Sequence, residues 1–152
     1  MKRDSFRDAA TLAFVRYGEL RGLTADEYKD RMRRRVAEDC QFFESEMREE
    51  RIAAEITRYA AFFDDLYAVE ETLGYFMEKN KEYIVDAVRA VYMSYPHRYP
   101  THGETTYRVR AHSISVPVSE KQVYRWLEEA RHIYCKKRGF AVVAPAGFEE
   151  YK

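Results

Sequence analysis

Residues 23–73 contain neither a glycine nor a proline. These two residues stop helices and build tight turns, so a stretch of this length without them is expected to be helical for most of its course. The chain of 152 residues holds only six glycines and four prolines, against thirteen tyrosines and nine phenylalanines. Few turns, long helices and an all-α fold follow. The length suits one domain, or a helical body carrying a small appended module.

Apolar spacing places the helices. Phe6, Ala10, Ala13, Tyr17 and Leu20 recur at steps of four and three, which lines one face of a helix from about residue 5 to residue 20. Gly22 is the natural left-handed stop. Thr24 followed by Glu27 has the form of a capping box and opens a second helix, whose stripe is Tyr28, Met32, Val36, Cys40, Phe43 and Met47. The charged run SEMREER (residues 45–51) is the best candidate for a break, having the lowest apolar content. Ile52, Ile56, Tyr59, Phe63, Leu66, Leu73 and Met77 then alternate steps of four and three, with Glu70 the one polar intruder. Such a heptad seam belongs either to a long helix inside the chain's own bundle or to one that pairs with a second copy. A further helix over residues 82–95 is apolar nearly all round, through Ile84, Val85, Val88, Val91 and Tyr92, and should be buried.

The composition shifts at residue 95. YPHRYPTHG (residues 95–103) holds two of the four prolines and two of the four histidines and reads as the linker. From His97 to Arg138 nine basic residues face four acidic ones, a balance of +5, while residues 1–96 come to −4. The whole chain is neutral, so no global field draws it to nucleic acid; any such tendency is local. The basic run of residues 31–35 sits among acidic neighbours and reads as a solvated helix face.

In VSEKQVYRWLEEARHIYCKKRGF (residues 118–140), Ser119 is a good N-cap with Gln122 three residues on. Val123, Trp126, Leu127, Ala130, Ile133 and Tyr134 form the buried face, and Gly139 ends the helix behind three cations. A short helix over about residues 106–115 precedes it, joined by a Val116-Pro117-Val118 turn. Ser113, Val116, Val118, Val123 and Trp126 stand where two helices crossing through a short turn need close contact. In such a pair the second helix enters the major groove with its N-terminal turns leading. Those turns carry Lys121, Gln122, Tyr124 and Arg125, the candidates for reading bases. Arg108, Arg110, Ser119, Arg131 and Lys136 are the candidates for the DNA backbone.

This segment also resembles the C-terminal signature of the ArpU/RinA-type phage transcriptional regulators, through Ser119, Val123-Tyr124-Arg125-Trp126, Ala130-Arg131 and Gly139-Phe140. DDLYAVEETLGYF (residues 64–76) and IVDAVRAVYM (residues 84–93) are similar to helices preceding the module in that group. The resemblance implies a module akin to the promoter-reading region of sigma factors, a phage or prophage late promoter as target, activation of transcription, and RNA polymerase as a partner.

The expected organisation is a helical body over residues 1–95 that pairs with itself, a linker at 96–104, a helix-turn-helix at 105–140, and a tail at 141–152. Double-stranded DNA is the expected partner. Two other function classes share parts of this pattern: a small terminase-like packaging protein, separated by ring-sized oligomers, and a protein-interaction module without DNA binding, separated by the absence of salt-dependent binding. An enzyme is disfavoured, because His97, His102, His112 and His132 are scattered and no nucleophile–base set or phosphate loop stands out. Cys40 and Cys135 read as reduced thiols, no cofactor or metal is expected, and the lack of a leader or apolar span points to a cytoplasmic protein without a membrane partner.

Overall fold

The computed structural model describes residues 5–140. Among them are seven helices and no strand: α1 (Ser5–Glu19), α2 (Ala25–Asp39), α3 (Ser45–Arg58), α4 (Ala60–Glu78), α5 (Glu82–Tyr92), α6 (His102–Ser115) and α7 (Glu120–Lys137). The tail at 141–152 lies outside the described residues.

The helix ends follow their local chemistry. Thr24 Oγ1 accepts from the Glu27 N–H at 3.1 Å and Glu27 Oε1 accepts from the Thr24 N–H at 3.3 Å, so the capping box is complete. Gly22 takes the left-handed φ of +91° that stops the approach to α2. At the end of α7, Gly139 (φ +80°) turns the chain so that the Phe140 N–H reaches the Cys135 carbonyl at 2.8 Å, closing orphan carbonyls of the last turn. Asn80 (φ +57°) does the same after α4, with the Lys81 N–H on the Phe76 carbonyl.

Two breaks differ from the sequence expectation. The second helix ends at Asp39, and SEMREER is the start of α3, not a break. Glutamate, methionine and arginine are good helix formers, and acidic side chains suit a helix N-terminus; low apolar content marks solvent exposure here. The heptad seam is likewise not one helix, since the chain turns at Tyr59 between α3 and α4. Its second half serves the chain's own core, with Phe63, Leu66 and Leu73 buried, while Met77 is exposed. Glu70 interrupts the seam because it has a partner. It accepts a hydrogen bond from the Tyr17 hydroxyl of α1 at 3.1 Å, and burial together with that carboxylate pushes Tyr17 up to about 12.

One hydrophobic cluster joins α1, α4, α5, α6 and α7 through Phe14, Phe76, Val88, Val109, Val123 and Leu127, among others. A smaller one, built on Leu20, Ala25, Phe63 and Leu66, fastens the α2–α3 pair to the first half of α4. As its all-apolar pattern predicts, α5 buries Ile84, Val85, Ala87, Val88, Val91 and Tyr92. The central element is α7. It touches α1, α4, α5 and α6, and these neighbours cover more of its middle turns than one apolar face, so Glu129, His132 and Cys135 are buried along with the expected apolar face. Asp65 of α4 receives the Tyr134 hydroxyl at 3.0 Å and Arg138 Nε at 2.8 Å, fixing the far end of α7.

The linker is shorter than expected. Thr101 caps α6, its Oγ1 accepting from the Glu104 N–H at 3.2 Å, so residues 102–104 are already helical. Arg98 Nη2 meets Glu104 Oε1 at 2.6 Å and holds the connector to the helix it enters.

Candidate nucleic-acid interface

The junction of α6 and α7 is built by backbone closure and one buried serine. The Val116 N–H donates to the His112 carbonyl and the Val118 N–H to the Ser113 carbonyl, each at 3.0 Å. Pro117 between them has no N–H to satisfy, which suits it to this position. Ser113 is small and buried, its hydroxyl donating to the Arg110 carbonyl at 2.7 Å, so α7 passes close to α6. The hydroxyl of Ser119 then accepts from the Gln122 N–H at 3.1 Å and starts α7. Helices α5, α6 and α7 all touch one another.

Over the first two turns of α7 the sequence alternates anchors with exposed groups. Val123 is fully buried and Trp126 nearly so, its ring 5.0 Å from that of Tyr83. Lys121, Tyr124 and Arg125 face solvent, and Gln122 is half-buried. The strip stops at Glu128, where Arg7 of α1 makes an ion pair. Beneath it lies Glu129, with one oxygen 3.9 Å from Lys81 Nζ and the other 3.9 Å from Arg125 Nε. Burial raises the pKa of Glu129, and the Lys81 and Arg125 charges oppose the rise.

The five backbone-contact candidates do not share one surface. Arg108 turns inward: its Nη1 donates to the Val91 carbonyl at 2.8 Å and its Nη2 to the Pro96 carbonyl at 3.3 Å, tying α6 to the end of α5 and the connector. Arg131 donates to the Tyr92 hydroxyl. Both guanidiniums are fork-shaped donors occupied by the fold. Arg110 remains at the surface, paired with Glu120 at 2.9 Å across the junction, and the Ser119 hydroxyl is engaged as a cap. Lys136 is exposed but stands at the other end of α7, about 22 Å along the axis from Lys121 at the usual helical rise.

Sequence reasoning missed three contributors. Lys81, Glu129 and Tyr83 support the strip, Glu129 buried, Lys81 half-buried and Tyr83 exposed against the Trp126 ring, and no local pattern marks them, because their contacts depend on helices arriving from elsewhere in the chain. The Thr101 cap did carry a signal, the Thr-x-x-Glu spacing to Glu104. Among the described residues, no group of three His, Cys, Asp or Glu side chains is placed to hold a metal, both cysteines are free and buried, and no helix is long and apolar enough to cross a membrane. No family model, curated protein or solved structure matches the chain.

Proposed function

We propose that the chain binds double-stranded DNA, with α6 and α7 acting as a helix-turn-helix and the first two turns of α7 entering the major groove. The observation that carries this reading is the alternation at the start of α7: Lys121, Tyr124 and Arg125 are presented outward on a backbone that Val123, Trp126 and the Ser119 cap hold rigid. Lysine and arginine suit guanine O6 and N7, and Gln122 suits adenine. Arg110, released from Glu120, and the amides of the α7 N-terminus suit phosphate. Arg108 and Arg131 take no part, being held by Val91, Pro96 and Tyr92. The resemblance of residues 64–140 to the ArpU/RinA-type regulators extends the proposal to a promoter-binding regulator of phage or prophage late genes, working with RNA polymerase.

Fluorescence anisotropy of labelled duplex DNA over a salt series tests the reading. Affinity that falls steeply with salt supports it; weak binding that ignores salt sinks it. The latter outcome would favour a second reading, a protein-binding surface on α6, for which the exposed Tyr107 and Ile114 side chains speak.

A further inference from the structure

The α2–α3 pair is fastened to α4 through Tyr28, Met32 and Ile56, and the rest of its surface is open. No residue of α3 is buried, and α2 buries only Ala25 at its base. The turn at its tip carries Phe42, which is 91% exposed, beside the exposed Phe43 and Met47. An apolar tip of this kind on water-facing helices indicates a surface that another molecule covers.

The same pair contains a receptor for such a tip. Between α2 and α3 runs a groove of about 620 Å³, floored by Ala37, Ile52, Ala53 and Ile56 and flanked by Arg33 and Arg34. Its volume exceeds that of a phenylalanine side chain, and its charged lining, Arg33 and Arg34 with Glu49, is net basic. The tip, by contrast, is acidic: Glu44 and Glu46 stand at the start of α3, a few residues beyond Phe42, and both face solvent. Among the described residues Arg34, Glu44 and Glu46 have no ion-pair partner, and Arg33 has only a mostly exposed contact with Asp30 at 3.6 Å.

We infer that this pair is a self-association arm, in which the tip of one copy seats Phe42 in the α2–α3 groove of a second copy and receives the second tip in its own. The arrangement is isologous, so each surface patch is used by both copies and the assembly closes at two. Overlapping the tips antiparallel brings Glu44 and Glu46 of each copy to Arg33 and Arg34 of the other, and both ends of the contact gain the same complementarity. A second copy is the occupant favoured because this chain itself supplies both the apolar plug and the matching charge. The contact is small, in the class below roughly 1,200 Å² where weak and transient complexes lie, so a micromolar dimer is expected. The inference is independent of the DNA reading, since no residue of α6 or α7 takes part.

The test is sedimentation velocity of the full chain over a concentration series extending through the micromolar range, with Arg33→Glu/Arg34→Glu and Glu44→Lys/Glu46→Lys variants alone and mixed in equal amounts. The wild type should shift from monomer to dimer. Each variant alone presents like charges to its copy and should stay monomeric, whereas the mixture restores opposite charges at both ends and should recover the dimer. Phe42→Ala removes an anchor from both ends of the dimer and, at about tenfold for each, should weaken association about a hundredfold, with unchanged circular dichroism. A wild type monomeric throughout, a mixture that fails to associate, or a Phe42→Ala variant that dimerises as well as the wild type would each overturn the inference.

Discussion

Replacing Arg108 separates a residue that holds the fold from one that holds DNA. Its guanidinium donates to two carbonyls, at 2.8 Å to Val91 and 3.3 Å to Pro96. The first is a sound charge-assisted bond and the second is at the limit of useful length. Hydrogen bonds to charged groups contribute about 1.5–3 kcal/mol, so Arg108→Ala should cost about 2 kcal/mol, most of it from the Val91 contact. Arg108→Lys keeps the charge but lacks the fork that reaches two acceptors, and should fall between the two. Arg110 is the control: its pair with Glu120 is exposed, and such pairs contribute about 0–1 kcal/mol. Urea unfolding measures all three variants. On duplex DNA the order reverses, because a lost phosphate contact reduces the salt slope by about 0.9; Arg110→Ala should show that reduction and Arg108→Ala should not. If Arg108→Ala proves no less stable than Arg110→Ala, or flattens the salt dependence, the carbonyl clamp is not its role.

Two glycines in helices should respond oppositely to the same change. A Cβ on Gly18 would lie 2.7 Å from the Met93 Cα, whereas one on Gly74 meets nothing within 4 Å; Gly74→Ala should stabilise by about 1 kcal/mol and Gly18→Ala should destabilise by about 1–2 kcal/mol after overpacking offsets the same propensity gain, as read by urea midpoints. Equal signs would contradict the close approach of α1 to the end of α5. Ser119→Ala removes the α7 cap and should cost about 1 kcal/mol, with DNA affinity falling further than in Ser115→Ala, a substitution outside the cap. For Glu129, burial raises the folded pKa above its ordinary 4.5, so the folded state binds more protons than the unfolded between those two values. Its contribution to stability is therefore present below pH 4.5 and lost as pH rises through the folded pKa, and Glu129→Gln should flatten that limb of the stability–pH curve; an unchanged limb would remove Glu129 as its source.

Features legible in the sequence were those decided within one or two helical turns. The Thr24–Glu27 box, the Gly22 and Gly139 stops, the Ser119 cap, the apolar wrap of α5 and the apolar face of α7 depend on near neighbours alone. The turns at residues 40–44 and at Tyr59 were hidden because no glycine or proline marks them, and a heptad rhythm can run across a break without a fault. Arg108 and Arg131 show the other limit. A guanidinium can donate to a phosphate, a backbone carbonyl or a hydroxyl, and only the position of α5 and the connector decides which one it finds. The burial of Glu129 and His132 was hidden for a related reason: a helix contacted by four others is covered beyond the face its own apolar spacing marks.

The most direct test of the account compares two pairs of charges at opposite ends of α7. Lys121→Ala/Arg125→Ala and Lys136→Ala/Lys137→Ala remove the same charge, and log affinity for duplex DNA against log salt is measured for each beside the wild type. If the first two turns of α7 read base edges in the groove, the first variant should lose about 1–3 kcal/mol of affinity for each base contact removed, with little change in slope, while the second keeps its affinity. Equal losses from the two variants, or a loss confined to the second, would contradict the placement of the DNA-reading surface at the start of α7.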